Sequence, residues 1–111
     1  MTIREFQHHI FEVAAAARIC DVPIVRQIGL ASISIRVPLT IGNFIDIFYN
    51  RQSDRIAYAL IESGNRIFGA DNTGGWHIHP FENPANHLPL TTAMTFAEFI
   101  KAIEQHYQIS P

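Results

Sequence analysis

The feature that most constrains the fold of this chain is a series of short segments in which apolar and polar residues alternate. In residues 32–37, Ile33, Ile35 and Val37 alternate with two serines and an arginine, which predicts a strand with one buried face. The same alternation returns in residues 44–49 and in residues 55–62. Because the links between these segments are short, neighbouring strands are predicted to pair antiparallel, as a meander.

Three further segments extend this sheet. Residues 22–30 are apolar and β-branched, and residues 66–70 follow a tight turn at residues 62–65, so both are predicted to be strands. Residues 76–79 form a short extended segment. Residues 80–94 contain three prolines and little periodicity, which predicts a loop. The expected sheet therefore has five to six strands.

A helix is predicted at each end of the chain. Thr2 and Glu5 have the capping-box spacing, and the apolar residues that follow recur at helical intervals to about residue 18. Thr95 and Glu98 repeat this spacing before a second apolar stripe that ends near Tyr107. The predicted fold is α+β, a single domain over residues 1–111, with an N-terminal and a C-terminal helix on an antiparallel sheet.

Composition excludes several classes of function. The formal net charge is −2, so a broad basic face that grips duplex DNA is not expected. The single cysteine, Cys20, cannot form an internal disulfide, which agrees with a reducing compartment. No apolar run reaches the ~20 residues that span a bilayer. Charged residues interrupt the first 20 positions, so the apolar region of a signal peptide is not expected there. A cytoplasmic protein without membrane contact is predicted.

Three histidines near residue 80 are the best candidates for chemistry. If residues 76–79 are extended, His77 and His79 project from one face and their neighbours from the other. Gly74 and Gly75 allow a sharp bend before them. Asp71 ends the preceding strand and can lie close to His77 and His79 after the bend. His87 can also lie close to them if the proline-rich loop folds back.

Two chemistries fit these residues. Imidazole titrates close to cellular pH, so two histidines can act as general acid and base on a phosphodiester, with Arg66 or Arg55 stabilising the phosphoryl charge. Alternatively, His77, His79 and His87 are ligands of a divalent metal such as zinc, with water in an open position. In that case Asp71 is a fourth ligand or an orienting group.

Other polar residues are interpreted as structural. His8 and His9 are adjacent on a helix and point about 100° apart, so they are expected to form a solvated or partner-facing patch. His106, in the last turn of its helix, is also taken as structural. Asp46 lies within a strand and either faces solvent or pairs with an arginine of a neighbouring strand. Solvent exposure is the expectation.

The order of motifs over residues 31–106 resembles the TumE-type toxin family of prokaryotic toxin–antitoxin systems. The similarity lies in Arg66-Ile67-Phe68-Gly69-Ala70-Asp71-Asn72, in Trp76-His77-Ile78-His79-Pro80, in His87 and in the capped C-terminal helix. The resemblance implies a toxin that acts on RNA, as a ribonuclease, and that is encoded beside a helix-turn-helix antitoxin. Carried over by position, it implies functional roles for Asp71, Asn72, His77, His79 and His87.

Three functions therefore remain open at the level of sequence. The first is a toxin-like enzyme acting on RNA through His77, His79, His87 and Asp71, with His77 and His79 as acid and base and with Arg66 and Asn72 binding substrate. The second is a metal-binding enzyme or sensor that uses His77, His79 and His87. The third is a noncatalytic homodimeric binding module.

Overall fold

The computed structural model describes residues 1–111 and has the predicted α+β architecture. Two helices enclose a run of seven strands along the chain. In order, the elements are α1 (Ile3–Ala16), β1 (Ile24–Ile28), β2 (Ser32–Pro38), β3 (Phe44–Asn50), β4 (Arg55–Glu62), β5 (Asn65–Asp71), β6 (His77–His79), β7 (Leu88–Pro89) and α2 (Phe96–Tyr107).

The strands form one 7-stranded sheet in which each strand pairs antiparallel with the next along the chain. The meander is confirmed, but the sheet has one strand more than the upper estimate. The extra strand is β7, inside the segment predicted to be a loop. This strand has two residues, one of them a proline, so the sequence shows no strand pattern there. Leu88 pairs with Ile78 only because the chain folds back onto β6.

Both helices begin with the predicted capping boxes. Thr2 and Glu5 bond reciprocally at the start of α1, as do Thr95 and Glu98 at the start of α2. Helix α1 ends at Ala16, two residues earlier than predicted, because the next residue is already extended. Neither helix has the length and apolar character that crossing a bilayer requires.

Both helices cover the same face of the sheet. On that face Ile47 of β3 pairs with Tyr58 of β4, and both are buried. Phe6 of α1 stacks on Tyr49 at a centroid distance of 4.5 Å, and Phe99 of α2 lies 5.2 Å from the Tyr58 ring. The core therefore fills the space between the helices and this face.

The opposite face of the sheet has no helix over it. Along β3 and β4 it carries Phe44, Asp46, Phe48, Ala57 and Ala59, which alternate with the core residues. The expectation that Asp46 faces solvent unpaired is wrong. Its carboxylate accepts hydrogen bonds from Arg36 Nε at 2.9 Å and from Nη2 at 3.2 Å, because the register of β2 and β3 places the two residues directly opposite.

Candidate functional site

The turn between β5 and β6 brings Asp71 and two histidines together on the helix-free face. Asp71 pairs with His77 across the two strands, and His79 lies on the same face of β6 as His77, as the alternation predicts. The turn requires positive φ at Gly74 (66°) and Gly75 (102°), a conformation that glycine adopts without steric cost. The glycine pair therefore sets the position of the two imidazoles.

The loop after β6 carries the third histidine back to the first two. The loop is anchored near its start, where Phe81 stacks between Phe68, at 4.4 Å, and His106, at 3.5 Å. Arg66 Nη2 then donates to the Pro84 carbonyl oxygen at 3.2 Å. At its end, β7 pairs with β6. His87 directly precedes β7 and is thereby held over the helix-free face.

The three imidazoles converge on one small volume. Ring centroids lie 5.0 Å apart for His77 and His79, 4.9 Å for His77 and His87, and 4.5 Å for His79 and His87. One ligand nitrogen of each ring lies within 4.8 Å of the other two. The rings differ in access to solvent, because His79 is buried, His77 is half-buried and His87 is exposed. With Asp71 they form what we call the His–Asp cluster.

Asp71 bridges two of these rings. Its Oδ1 lies 3.2 Å from His77 Nε2, and its Oδ2 lies 3.1 Å from His79 Nε2. The Thr73 backbone N–H donates to Oδ1 at 3.0 Å. Burial alone would raise the pKa of Asp71, but the hydrogen bonds from Thr73 and His79 and the charge of His77 together lower it. The carboxylate is thus held ionised between the imidazoles.

The second ring nitrogen of His77 and of His79, Nδ1, also lies near a hydrogen-bond acceptor. His77 Nδ1 lies 3.1 Å from the Gly75 carbonyl oxygen, and His79 Nδ1 lies 3.1 Å from the Asn86 carbonyl oxygen. A neutral imidazole carries one N–H, so it cannot donate to both of its neighbours. If each Nδ1–H donates to its carbonyl, the bare Nε2 lone pair points at a carboxylate oxygen. One nitrogen lone pair of each neutral ring therefore faces an oxygen, and a cation bound between the two atoms would satisfy both.

The geometry suits a cation as well as protons. Metal-binding histidines commonly donate their second N–H to a carbonyl, and the Nδ1 atoms of His77 and His79 each lie 3.1 Å from a carbonyl oxygen that can accept it. Zinc takes nitrogen and oxygen ligands at about 2.0 Å, which places neighbouring ligand atoms of a tetrahedron about 3.3 Å apart. The ligand nitrogens of His77, His79 and His87 lie within 4.8 Å of one another, so these three are the residues that could hold a metal. Asp71, which lies 3.2 Å from His77 Nε2 and 3.1 Å from His79 Nε2, would orient them.

A glycine that sequence reasoning missed also shapes the cluster. Gly69 of β5 pairs directly with His79. A Cβ atom at this position would lie 3.0 Å from Arg66 Cδ and 3.4 Å from His79 Cδ2. A Cβ would also lie 3.2 Å from the Tyr58 carbonyl oxygen, so Gly69 makes room for the Arg66 side chain and the β4 backbone, with the His79 ring at ordinary contact distance. The available signal was a glycine inside a strand, which indicates close approach of neighbouring groups.

The two residues expected to bind substrate lie in different settings. Arg66 is exposed beside His79, and one of its nitrogens bonds to the Pro84 carbonyl oxygen. Asn72 is committed to the backbone of the β3–β4 hairpin. Its Oδ1 accepts from the Ile56 N–H at 2.9 Å, and its Nδ2 donates to the Asp54 carbonyl oxygen at 2.7 Å. The structure thus brings Arg66 beside the cluster, whereas the Asn72 amide secures the end of β5.

No protein-family model matches this chain, and no curated protein or solved structure matches it either.

Proposed function

We propose that this chain is a toxin-like enzyme that cleaves RNA at the His–Asp cluster. The observation that carries the proposal is the convergence of three imidazoles and one carboxylate on the helix-free face. Imidazoles set beside a fixed carboxylate suit general acid–base chemistry. Arg66, which runs alongside His79, adds a cation for phosphoryl charge.

The proposed reaction is transesterification within the RNA backbone. One imidazole takes the proton of a ribose 2′-hydroxyl, and the 2′-oxygen forms a bond to the adjacent phosphorus. The bond from phosphorus to the 5′-oxygen of the next nucleotide breaks, and that oxygen receives a proton from an imidazolium. The products are a 2′,3′-cyclic phosphate and a 5′-hydroxyl, so no oxidant or co-substrate is needed.

Differences in exposure divide the roles among the histidines. His87 is exposed and can reach a bound substrate, so it is the candidate base. His77 is half-buried, with Asp71 beside its Nε2, and is the candidate acid. His79 is buried, with an acceptor at each nitrogen, so we assign it to positioning Asp71 and the loop.

The test is cleavage of a single-stranded RNA oligonucleotide by purified protein. His87→Ala is expected to lower the rate at least 100-fold, a magnitude typical of losing a general acid or base. His9→Ala, in an exposed histidine of α1, is the matched control and should leave the rate unchanged. A single 2′-deoxyribose at the cleaved position should block the reaction. Equal rates for His87→Ala and the wild type would refute the proposal.

The resemblance to TumE-type toxins adds a cellular expectation. Expression of the wild-type chain should arrest growth, and a helix-turn-helix antitoxin encoded beside it should relieve the arrest. His87→Ala should be harmless at the same protein level, whereas His9→Ala should remain toxic. Arrest by the His87→Ala protein would remove the cluster from the toxic activity.

A metal-binding enzyme or sensor is the second candidate, because both bridged rings face acceptors on two sides. Zinc held by His77, His79 and His87 would satisfy the ring lone pairs that face these acceptors. The two candidates separate in a cleavage assay. Acid–base cleavage continues in EDTA and requires the 2′-hydroxyl, whereas metal-dependent hydrolysis stops in EDTA and tolerates a 2′-deoxyribose.

Direct metal binding is measured by titrating zinc into chelator-treated protein. If the cluster is a metal site, the wild type and His9→Ala bind one zinc per chain, and His79→Gln loses most of the affinity. Loss of one ligand or of its supporting contacts typically weakens binding 10- to 100-fold or more. Equal affinity in His79→Gln and wild-type proteins would refute this candidate.

A further inference from the structure

The helix-free face continues from the His–Asp cluster into a groove across the middle of the sheet. The groove has a volume of about 420 Å³, and its lining includes Arg26, Ser34, Asp46, Phe48, Ala57 and Ala59. The strand register fixes its relation to the cluster. Phe48 pairs with Ala57, Ala57 with Asp71, and Asp71 with His77.

Small side chains separate the groove from the cluster. The next row across the sheet runs from Asp46 through Ala59 and Gly69 to His79. Neighbouring strands lie about 4.8 Å apart, so Phe48 and His77 are about 14 Å apart across three spacings. Ala57 and Ala59 therefore leave low relief beside the Phe48 ring, and the Arg66 side chain lies over Gly69 at the edge of the cluster.

The charge of the groove is positive although the net charge of the chain is −2. Asp46, its one lining carboxylate, is already bonded to Arg36. Arg26 lines the groove, and the Arg55 guanidinium lies over the face of the Phe48 ring, 5.7 Å from its centroid. Neither Arg26 nor Arg55 forms an ion pair with a carboxylate of the chain. Two unpaired cations beside a flat aromatic ring complement a phosphate backbone with unstacked bases.

We propose that this groove binds the single-stranded RNA segment next to the bond that is cleaved. One base takes the place of the exposed Arg55 guanidinium over the Phe48 ring, and Arg55 turns to contact a neighbouring phosphate together with Arg26. The RNA then crosses the small residues of β4 and β5 to place a ribose–phosphate at His87. A paired base cannot lie flat on the Phe48 ring, so the groove selects unpaired RNA. The proposal rests on the proposed function and adds the substrate class to it.

Binding is measured with the His87→Ala protein, so that the RNA stays intact. Fluorescence anisotropy of a labelled single-stranded RNA oligonucleotide reports the affinity. Phe48→Leu keeps an apolar side chain but removes the ring face, and it should weaken binding about 10-fold. The matched control is Phe11→Leu, in a half-buried phenylalanine of α1, which should bind as the parent does.

Charge is tested separately from stacking. Arg55→Gln should weaken binding and reduce the salt dependence of the affinity by about one phosphate contact, whereas Arg4→Gln on α1 should change neither. A blunt RNA duplex of the same sequence should compete poorly for the site. Unchanged affinity in both Phe48→Leu and Arg55→Gln, or a duplex that competes as well as the single strand, would overturn the groove proposal.

The outcomes also separate the groove from the catalytic proposal. If the RNA binds as described but the wild type does not cleave it, the proposed function fails and the groove remains an RNA-binding surface. If the wild type cleaves RNA, and Phe48→Leu and Arg55→Gln cleave it as fast at limiting substrate, the groove proposal fails and the cluster keeps its role.

Discussion

Replacement of His79 by alanine should mainly lower the stability of the fold, whereas replacement of His87 by alanine should mainly lower activity. His79 is 3 % exposed, and its Nδ1 lies near the Asn86 carbonyl oxygen while its Nε2 lies near Asp71 Oδ2. His87 is exposed, and the hydrogen bonds of the cluster are formed by His77, His79 and Asp71 without it. His79→Ala should therefore unfold more easily, whereas His87→Ala should lose activity with little change in stability.

The magnitude for His79→Ala follows from what the ring contacts. Removing the ring leaves one of its two part-buried acceptors without a donor, which costs about 1–3 kcal/mol, and the lost apolar contact of the ring adds about 1 kcal/mol. Together these terms destabilise the fold by about 3 kcal/mol. Unfolding entropy is about 2.1 cal/mol/K per residue, so for 111 residues each kcal/mol lowers Tm by about 4 °C. His79→Ala should thus melt about 12 °C below the wild type.

The assay is thermal unfolding followed by circular dichroism, with urea unfolding as a second measure of the same free energy. His87→Ala should melt within about 2 °C of the wild type, since exposed substitutions usually change stability by less than 0.5 kcal/mol. His9→Ala gives the baseline for an exposed histidine. A His79→Ala protein as stable as the wild type would show that the ring is not held between Asp71 and Asn86. The reasoning would also fail if His87→Ala were the less stable of the two variants.

Three further predictions concern the rest of the fold. Thr95→Ala removes the capping box of α2 and should lower the free energy of unfolding by about 1 kcal/mol, or Tm by about 4 °C. Thr91→Ala, at an exposed threonine, should cost less than half of that, and equal losses of stability would contradict the capping role. Burial raises the pKa of the Cys20 thiol to about 12, so iodoacetamide at pH 8 should alkylate the folded protein at least 100-fold more slowly than the urea-unfolded chain; comparable rates would contradict its burial. Asp46→Asn weakens the half-exposed ion pair with Arg36 and should lower the free energy of unfolding by less than about 1 kcal/mol in urea titrations; a larger loss would mean that the pair is a main support of the sheet.

The sheet and the pair of histidines could be predicted because both depend on local patterns. Period-2 alternation identified β2, β3 and β4, and the same rule placed His77 and His79 on one face. The capping boxes of both helices were also correct, since each depends on two residues three positions apart. Such features need no knowledge of distant contacts.

The remaining parts of the site depend on contacts between distant residues. His87 reaches the cluster because Phe81 stacks on Phe68 and His106, and because Arg66 bonds to the Pro84 carbonyl oxygen. No spacing in the sequence records these contacts. The Asn86 carbonyl oxygen beside His79 and the short strand β7 depend on the same folding back of the loop.

Asp46 and Asn72 show the same limit for single polar residues. The sequence allowed either solvent or an arginine as the partner of Asp46, and only the register of β2 and β3 selects Arg36. The resemblance placed Asn72 among the functional residues, but its amide bonds to the backbone of a neighbouring hairpin. The partner of a polar side chain is fixed by tertiary register, which composition and periodicity do not contain.

Chemical rescue of the His87→Ala protein tests the role of the cluster most directly. His87 is exposed, so free imidazole in solution can enter the space that its ring leaves. The rate of RNA cleavage by this variant should be at least 100-fold below that of the wild type and should rise with imidazole concentration. Cleavage by His87→Ala at the wild-type rate without imidazole would contradict a reaction at this cluster.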